Sequence, residues 1–308
     1  MTSNNILIIG VTGCVGHYLF DELVKNQQNH LHLLIRPDAK IYFEPKQFSN
    51  VTVYPWRLNN LLSQKDLLMQ MDFVVHLATP WGGDHIWQTN IGDVDKIFTI
   101  LGDSPRLKKI VYFSTASILG DDGHVTEAAL KFGTGYVRSK YLMHMRLPRL
   151  KVFPKVITIF PTWVFGGDAK HPYSHASEGI PGILKNIGLI KRLRFDFKFH
   201  FMHAADIATT VALLMTNPNS SGEYIVGQGP YSFNQLVSDA AQIKGQKIGF
   251  QFNLTFGFIS ALAKILRKTI APWDRYCFER KNFIFNTTNP ESLGGVSRYR
   301  EFRAILGD

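Results

Sequence analysis

Only two of the 308 residues are cysteine, Cys14 and Cys277, too few for a disulfide framework, and neither lies in a C-x-x-C or other metal-ligand spacing. A reducing cytoplasm is the expected compartment, and no metal is expected. Long hydrophobic runs are scarce as well. The apolar stretch Ile6 to Ile9 is far too short for a signal peptide or a membrane span, and the residues before it carry no basic side chain. Runs of like charge, internal repeats and low-complexity tracts are missing, and no nucleic-acid motif is legible. Disorder, solenoid architecture and nucleic-acid binding are therefore set aside.

What is present is ordinary globular material, 45% hydrophobic and 19% charged, in a chain long enough for one large domain or one domain with a smaller companion. Charge is unevenly spread. Thirty-four Lys and Arg against 24 Asp and Glu leave a net charge of +10; residues 1–184 hold 18 basic and 15 acidic groups, whereas residues 185–308 hold 16 and 9. The basic C-terminal part invites an anionic partner, and a phosphate-bearing cofactor or an anionic membrane surface would each account for it.

Short apolar runs recur at Ile6 to Ile9, Leu31 to Ile35, Val51 to Tyr54, Phe73 to Leu77, Ile110 to Phe113 and Val156 to Phe160, apolar nearly throughout, as parallel strands covered on both faces are. Helical patterns fill the gaps, most clearly at Val15 to Val24, Leu61 to Met69, Ile91 to Leu101 and Tyr136 to Met145. This alternation predicts an α/β protein, a Rossmann-type doubly wound parallel sheet. Beyond Gly166-Gly167 the pattern weakens through the basic-aromatic segment Lys191 to Phe201. It resumes with a helix at Asp206 to Met215 and a strand at Glu223 to Val226, and from Ser232 turns helical and aromatic, with an amphipathic stretch from Phe256 to Ile270. The reading is a nucleotide-binding domain of residues 1–165 and 200–228, with a smaller, mostly helical C-terminal substrate-binding domain of residues 166–199 and 229–308.

The first strand runs into Gly10-Val11-Thr12-Gly13-Cys14-Val15-Gly16 and then a helix, the context in which glycines let backbone N–H groups approach a pyrophosphate at the helix N-terminus. Cys14 reads as a small loop residue, not a nucleophile. The second strand ends in Ile35-Arg36-Pro37, where an acidic residue would favour NAD and an arginine can pair with the 2′-phosphate of NADP. Arg36 points to NADP, with NAD still open and Lys40 a weaker helper. Further on, Tyr136-Val137-Arg138-Ser139-Lys140 sets a phenol and an ammonium at i and i+4, one helical turn apart. A neighbouring ammonium is expected to pull the phenol's pKa down from about 10, so that it exchanges a proton with an alcohol or carbonyl. The exit of the fifth strand, Phe113-Ser114-Thr115-Ala116-Ser117, adds hydroxyls at the sheet edge where open α/β folds bind ligands.

With these residues in view, the chain resembles an extended short-chain dehydrogenase/reductase of the NAD-dependent epimerase/dehydratase and 3β-hydroxysteroid dehydrogenase-like group, over almost its whole length. The resemblance rests on Gly10, Gly13 and Gly16, on Asp72-Phe-Val-Val-His-Leu-Ala78, on Asn90, on Ser114-Thr115 through Gly120, and on Thr126-Glu127. It continues with Tyr136 and Lys140, Pro161-Thr162-Trp163-Val164-Phe165-Gly166, and His203-Ala-Ala-Asp206-Ile-Ala208. It implies that Thr115 holds the substrate oxygen, with Ser114 its rival, that Tyr136 is the general acid/base, and that Lys140 also binds the nicotinamide ribose. It further implies that Leu77, Ala78 and Thr79 pass over the cofactor and that Pro161 through Thr162 to Val164 meet the nicotinamide carboxamide.

Some positions depart from the family pattern. The Asp-Leu pair that meets adenine in relatives reads Arg57-Leu58, the usual Arg after the sixth strand is Phe160, and the Glu four residues after the lysine is His144. His76 and His203 are expected to be structural hydrogen-bonders. Three reactions compete: hydride exchange between NADP and the carbonyl or alcohol carbon of a small molecule, epimerisation or dehydration of a nucleotide-activated sugar, and NADP binding without chemistry. Phe252, Phe256, Phe258, Trp273 and Phe278 are expected to close an aromatic lid over the nicotinamide, favouring an apolar substrate, although Lys191, Arg192 and Arg194 could converge on a diphosphate. Lys264, Arg267 and Lys268 exclude a transmembrane helix at that stretch and leave peripheral membrane contact open. A homodimer is left open too.

Overall fold

The computed structural model describes residues 3–307. Its strands in chain order are β1 (Asn4–Ile9), β2 (Asn29–Leu34), β3 (Val51–Tyr54), β4 (Phe73–His76), β5 (Lys109–Phe113), β6 (Val156–Pro161), β7 (Trp163–Phe165), β8 (Leu193–Arg194), β9 (Lys198–His203), β10 (Gly222–Val226), β11 (Pro230–Ser232), β12 (Phe252–Asn253) and β13 (Asn282–Phe283). Seven of them form one parallel sheet in the order β10-β6-β5-β4-β1-β2-β3. The apolar runs are apolar because both faces are covered. On β1, Ile6 and Ile8 pack with the helices α1 (Cys14–Leu23) and, later in the chain, Ala204–Thr216. Leu7 and Ile9 face the opposite layer, where α2 (Lys65–Met69), α3 (Val94–Leu101) and, after α4 (Glu127–Phe132), α5 (Gly135–Arg146) lie. Each such side chain gains roughly 1.5–3 kcal/mol on full burial, so the sheet is also the main store of stability.

The remaining elements are shorter. Helices α6 (His175–Glu178), α7 (Ile180–Lys185) and α8 (Ile187–Ile190) follow β7; α9 (Ala204–Thr216) follows β9; α10 (Phe233–Ile243), α11 (Phe256–Ile265), α12 (Pro272–Arg280) and α13 (Phe302–Gly307) complete the chain. Part of this region is sheet rather than helix. β9 pairs antiparallel with β11 and parallel with β7 and β13, and β8 pairs with β12. The basic-aromatic segment supplies β9: Phe199 and Phe201 alternate inward, buried against Phe165 and Phe302, while Lys198 stays exposed. The predicted amphipathic stretch also ends early, since α11 stops at Ile265 and Arg267 takes a left-handed backbone conformation, φ 53°. Among the described residues no helix is long and apolar enough to cross a membrane.

Candidate active site

The turn from β1 to α1 is held by close backbone approach. Gly10 has φ 99°, and a Cβ there would stand 2.5 Å from the backbone N of Ala78; a Cβ on Gly16 would stand 2.4 Å from the carbonyl oxygen of Gly10. A larger residue at Gly10 would force the turn off the chain that leaves β4, and one at Gly16 would force α1 off the turn. Gly13 caps α1 with no side-chain acceptor. The first N–H groups of the helix, on Cys14, Val15 and Gly16, therefore open into the adjoining space with the positive end of the helix dipole behind them. That cradle fits an anionic group such as a pyrophosphate. Burial pushes the Cys14 thiol up to about 12, leaving it protonated and consistent with a bystander.

One cavity of about 1560 Å³ runs from this turn along the C-terminal edge of the sheet. It is lined by Gly10, Thr12, Gly13, Cys14, Val15 and Gly16, by Arg36, by Leu77, Ala78 and Thr79, and by Thr115, Tyr136, Pro161, Thr162 and Val164. All the sequence-derived site residues except Lys140 thus border the same space. Arg36 and Arg57 are the Lys or Arg residues in its wall, together at the end formed by the exits of β2 and β3. Arg57 pairs with Asp38 at 3.3 Å, whereas the Arg36 side chain makes no ion pair among the described residues.

At the other end α5 brings up Tyr136 and Lys140. The Thr134 hydroxyl accepts from the Val137 N–H at 3.3 Å and starts the helix beside the exit of β5. Lys140 is fully buried behind the cavity, where its Nζ donates to the Phe113 carbonyl oxygen at 2.7 Å and lies 5.0 Å from the centre of the Tyr112 ring. Tyr136 shares a side-chain hydrogen bond with Thr115, whose hydroxyl also accepts from the Ser117 N–H at 3.2 Å. Ser114 lines the cavity too, but its buried hydroxyl has no hydrogen-bond partner among the described residues.

The protonation pattern corrects one sequence expectation. Burial pushes the Tyr136 phenol up to about 12, with the Thr115 bond working against that rise, and burial pulls the Lys140 ammonium down to about 7. The lysine is aimed at a carbonyl of β5, and burial alone sets the direction of its shift. Tyr136 is thus a neutral phenol, suited to donate a proton.

Asn90 organises the layer above. It sits in a widened turn, residues 88–93, and accepts from the Thr79 hydroxyl at 2.9 Å; its Nδ2 donates to Ser139 Oγ at 2.9 Å and to the Pro80 carbonyl oxygen at 3.3 Å. Ser139 in turn donates to the Tyr136 carbonyl oxygen at 2.7 Å. In the sequence Asn90 is marked only as a family position; of its partners, Thr79 and Pro80 are near in the chain and Ser139 lies 49 residues away on α5. His203 bonds the Ala205 N–H as expected. His76 does not behave as expected, since neither ring nitrogen has a hydrogen-bond partner among the described residues, and burial holds it neutral, down to about 3.

The aromatic lid is a second correction. Phe252, Phe256, Phe258, Trp273 and Phe278 do not line this cavity; Phe256 and Phe278 border a separate one of about 770 Å³ with Arg194, and Phe252 and Phe258 are exposed. Lys191 and Arg192 line neither. The aromatic rings around the reaction end are instead Trp81, Trp163 and Tyr173, with His175 beside them. Trp81 and Tyr173 come from connecting segments and Trp163 and His175 from the first residues of β7 and α6, whose spatial neighbours cannot be read from local periodicity.

The sequence model of the NAD dependent epimerase/dehydratase family matches residues 6–227. Among solved structures, the crystal structure of gox2253 superposes with a TM-score of 0.74 at 18% identity, covering 99% of this chain and 96% of the other. The UDP-N-acetylglucosamine 4-epimerase from Methanobrevibacter ruminantium, in complex with UDP-N-acetylmuramic acid, gives 0.63 at 18%, covering 92% and 98%. The Bordetella bronchiseptica enzyme WbmG in complex with NAD gives 0.64 at 17%, covering 90% and 93%. At these identities the likeness is one of fold. No match is found among curated protein sequences.

Proposed function

The chain belongs to the NAD dependent epimerase/dehydratase family, and on that footing we propose that it is an NADP-dependent oxidoreductase acting on the carbonyl or alcohol carbon of an uncharged, largely apolar small molecule. The observation that carries this reading is the meeting of Thr115 and Tyr136, with Lys140 buried behind, at one end of the cavity whose other end is the glycine turn and Arg36. The turn and the N-terminus of α1 would hold the pyrophosphate and Arg36 the 2′-phosphate. Leu77 to Thr79 and Pro161 to Val164 would surround the nicotinamide end, with Lys140 buried behind it. A nicotinamide cofactor bound there supplies or accepts the hydride.

The chain's own part is to place and protonate an oxygen. Thr115 holds the substrate oxygen, and Tyr136, a neutral phenol whose pKa burial raises further, gives its proton to that oxygen as the carbonyl becomes an alcohol; solvent then returns a proton to the phenolate. An apolar substrate is favoured because neither Lys nor Arg lines the reaction end, whereas a nucleotide diphosphate is most naturally held by forked arginine contacts. Assay of the pure protein with NADPH and NADH against ketones, aldehydes and nucleotide sugars tests the reading. Loss of NADPH absorbance with a ketone or aldehyde is expected. Turnover of a nucleotide sugar with no net change in cofactor would replace it with epimerisation or dehydration, the alternative on the same residues.

A further inference from the structure

Helix α11 is apolar on two sides yet lies on the surface. Its inner face is Phe256, Ile259, Ser260 and Ala263, at i, i+3, i+4 and i+7, each half-buried. Phe256 packs on Phe278 of α12, ring centroids 5.6 Å apart, with the Arg275 guanidinium 5.3 Å from its centre. The outer face is Phe258, Ala261 and Ile265, at i, i+3 and i+7, all exposed, Phe258 by 56% and Ile265 by 77%; Leu266, just past the helix, is exposed as well. A helix that is hydrophobic all round belongs in an apolar medium, but none of the described side chains of α11 is buried. Shortly before the helix, Phe250 and Phe252 add two more exposed rings, in edge-to-face contact at 4.9 Å. Clustered exposed apolar side chains mark an interaction surface.

The charge around the helix says what covers it. Residues 240–273 contain five Lys or Arg and neither Asp nor Glu. Lys264 stands in the last turn of α11 beside Ile265, and Arg267 and Lys268 follow it; all three are exposed, and none makes an ion pair among the described residues. On the adjoining α12, Glu279 is already paired with Arg275 at 2.8 Å. A second copy of the chain is a poor cover for such a face, because a two-fold contact lays the patch on itself and brings both sets of cations together with no carboxylate from the segment between them. A bilayer containing anionic lipids answers both features, its acyl boundary taking the apolar side chains and its headgroups the cations.

We propose that α11 and the residues just after it dock the protein peripherally on an anionic membrane surface, with Phe258 and Ile265 entering the acyl boundary and Lys264, Arg267 and Lys268 meeting the headgroups. The helix lies in the plane of the interface; at ten residues it is too short to cross the hydrocarbon core. Docking of this kind does not depend on which reaction the cavity catalyses.

Co-sedimentation of the full chain with vesicles of phosphatidylcholine alone, and of phosphatidylcholine and phosphatidylglycerol in equal parts, tests it. Binding is expected to the mixed vesicles, falling as salt is raised, and little or none to the neutral ones. Phe258→Ser/Ile265→Ser should lower the partition coefficient by about 10-fold or more, and Lys264→Gln/Lys268→Gln by about 10- to 30-fold. All four side chains are exposed, so both variants should keep the parent's urea midpoint. Lys46→Gln/Lys170→Gln, which removes two exposed lysines from other segments, should bind as the parent does. No binding to either vesicle, equal binding to both, or binding that the α11 variants leave unchanged overturns the proposal. A loss in Lys46→Gln/Lys170→Gln as large as in Lys264→Gln/Lys268→Gln overturns it in favour of net charge alone. A lipid-free dimer, seen by sedimentation velocity and dissociated by Phe258→Ser/Ile265→Ser, overturns it by giving the face to a second copy.

Discussion

The two ends of the cavity are made of different material. At the glycine turn the wall is backbone, placed where it is because β1 and β4 are locked side by side in a sheet with both faces buried. At the reaction end much of the wall is side chain: Trp81 and Tyr173 stand on connecting segments, Trp163 and His175 at the starts of β7 and α6, and all four are exposed. A backbone wall cannot change without disturbing the packing that fixes it, whereas an exposed side chain on a connecting segment can be exchanged at little cost. Cofactor binding is thus tied to the stability of the fold, and substrate choice is largely free of it.

Substitutions can break or sharpen that contrast. The largest effect is expected from Tyr136→Phe, which should lower turnover by roughly 10²–10⁴-fold while leaving the NADPH affinity and the urea midpoint nearly unchanged; calorimetric titration and steady-state kinetics together check it, and full activity would remove Tyr136 from the chemistry. Arg36→Ala should cost about 1.5–3 kcal/mol of NADPH binding and little of NADH binding. Equal affinities for the two cofactors in the parent would end the NADP assignment. Gly10→Ala should lose about 1–3 kcal/mol of stability and NADPH binding along with it, because the new Cβ meets Ala78 at a backbone angle that side chains rarely adopt. If this variant kept the parent's urea midpoint but not its cofactor affinity, the coupling of cradle and fold would be wrong.

Thr115, Tyr136 and Lys140 break the pattern, since these reaction-end residues are buried, and Lys140 carries a charge there. Its folded pKa, about 7, lies below that of a lysine in an unfolded chain, so the unfolded state binds more protons above that value. The sign follows: the lysine's cost is fully present below about pH 7 and is relieved as pH rises toward about 10. In the absence of cofactor, the stability of the parent relative to Lys140→Met should climb by about 1 kcal/mol between about pH 7 and 8, as read from urea midpoints. A flat difference over that interval would mean that the ammonium is solvated or paired in the folded chain.

Much of the sheet was legible because its strands are short, apolar and covered on both faces, a condition that leaves its mark on every residue of the run. Strand β9 was harder. Its inward phenylalanines alternate with Lys198 and His200, and the net positive charge of the segment obscured a period of two. The aromatic lid failed for a different reason: composition reports that Phe252 and Phe258 are apolar, not which cavity they face, and here they face solvent.

The sequence by itself determined the order of strands in the central parallel sheet, the glycine turn, the single arginine at the end of β2, and the i, i+4 spacing of Tyr136 and Lys140, because each is a local pattern that the backbone reads within one or two turns of chain. Tertiary structure alone decided that Lys140 points at the Phe113 carbonyl, that burial raises the Tyr136 phenol, and that Trp81, 55 positions before it, lies on its ring. Those outcomes depend on burial and on contacts between segments far apart in the chain, and desolvation is a property of everything packed around a group, which no local pattern contains.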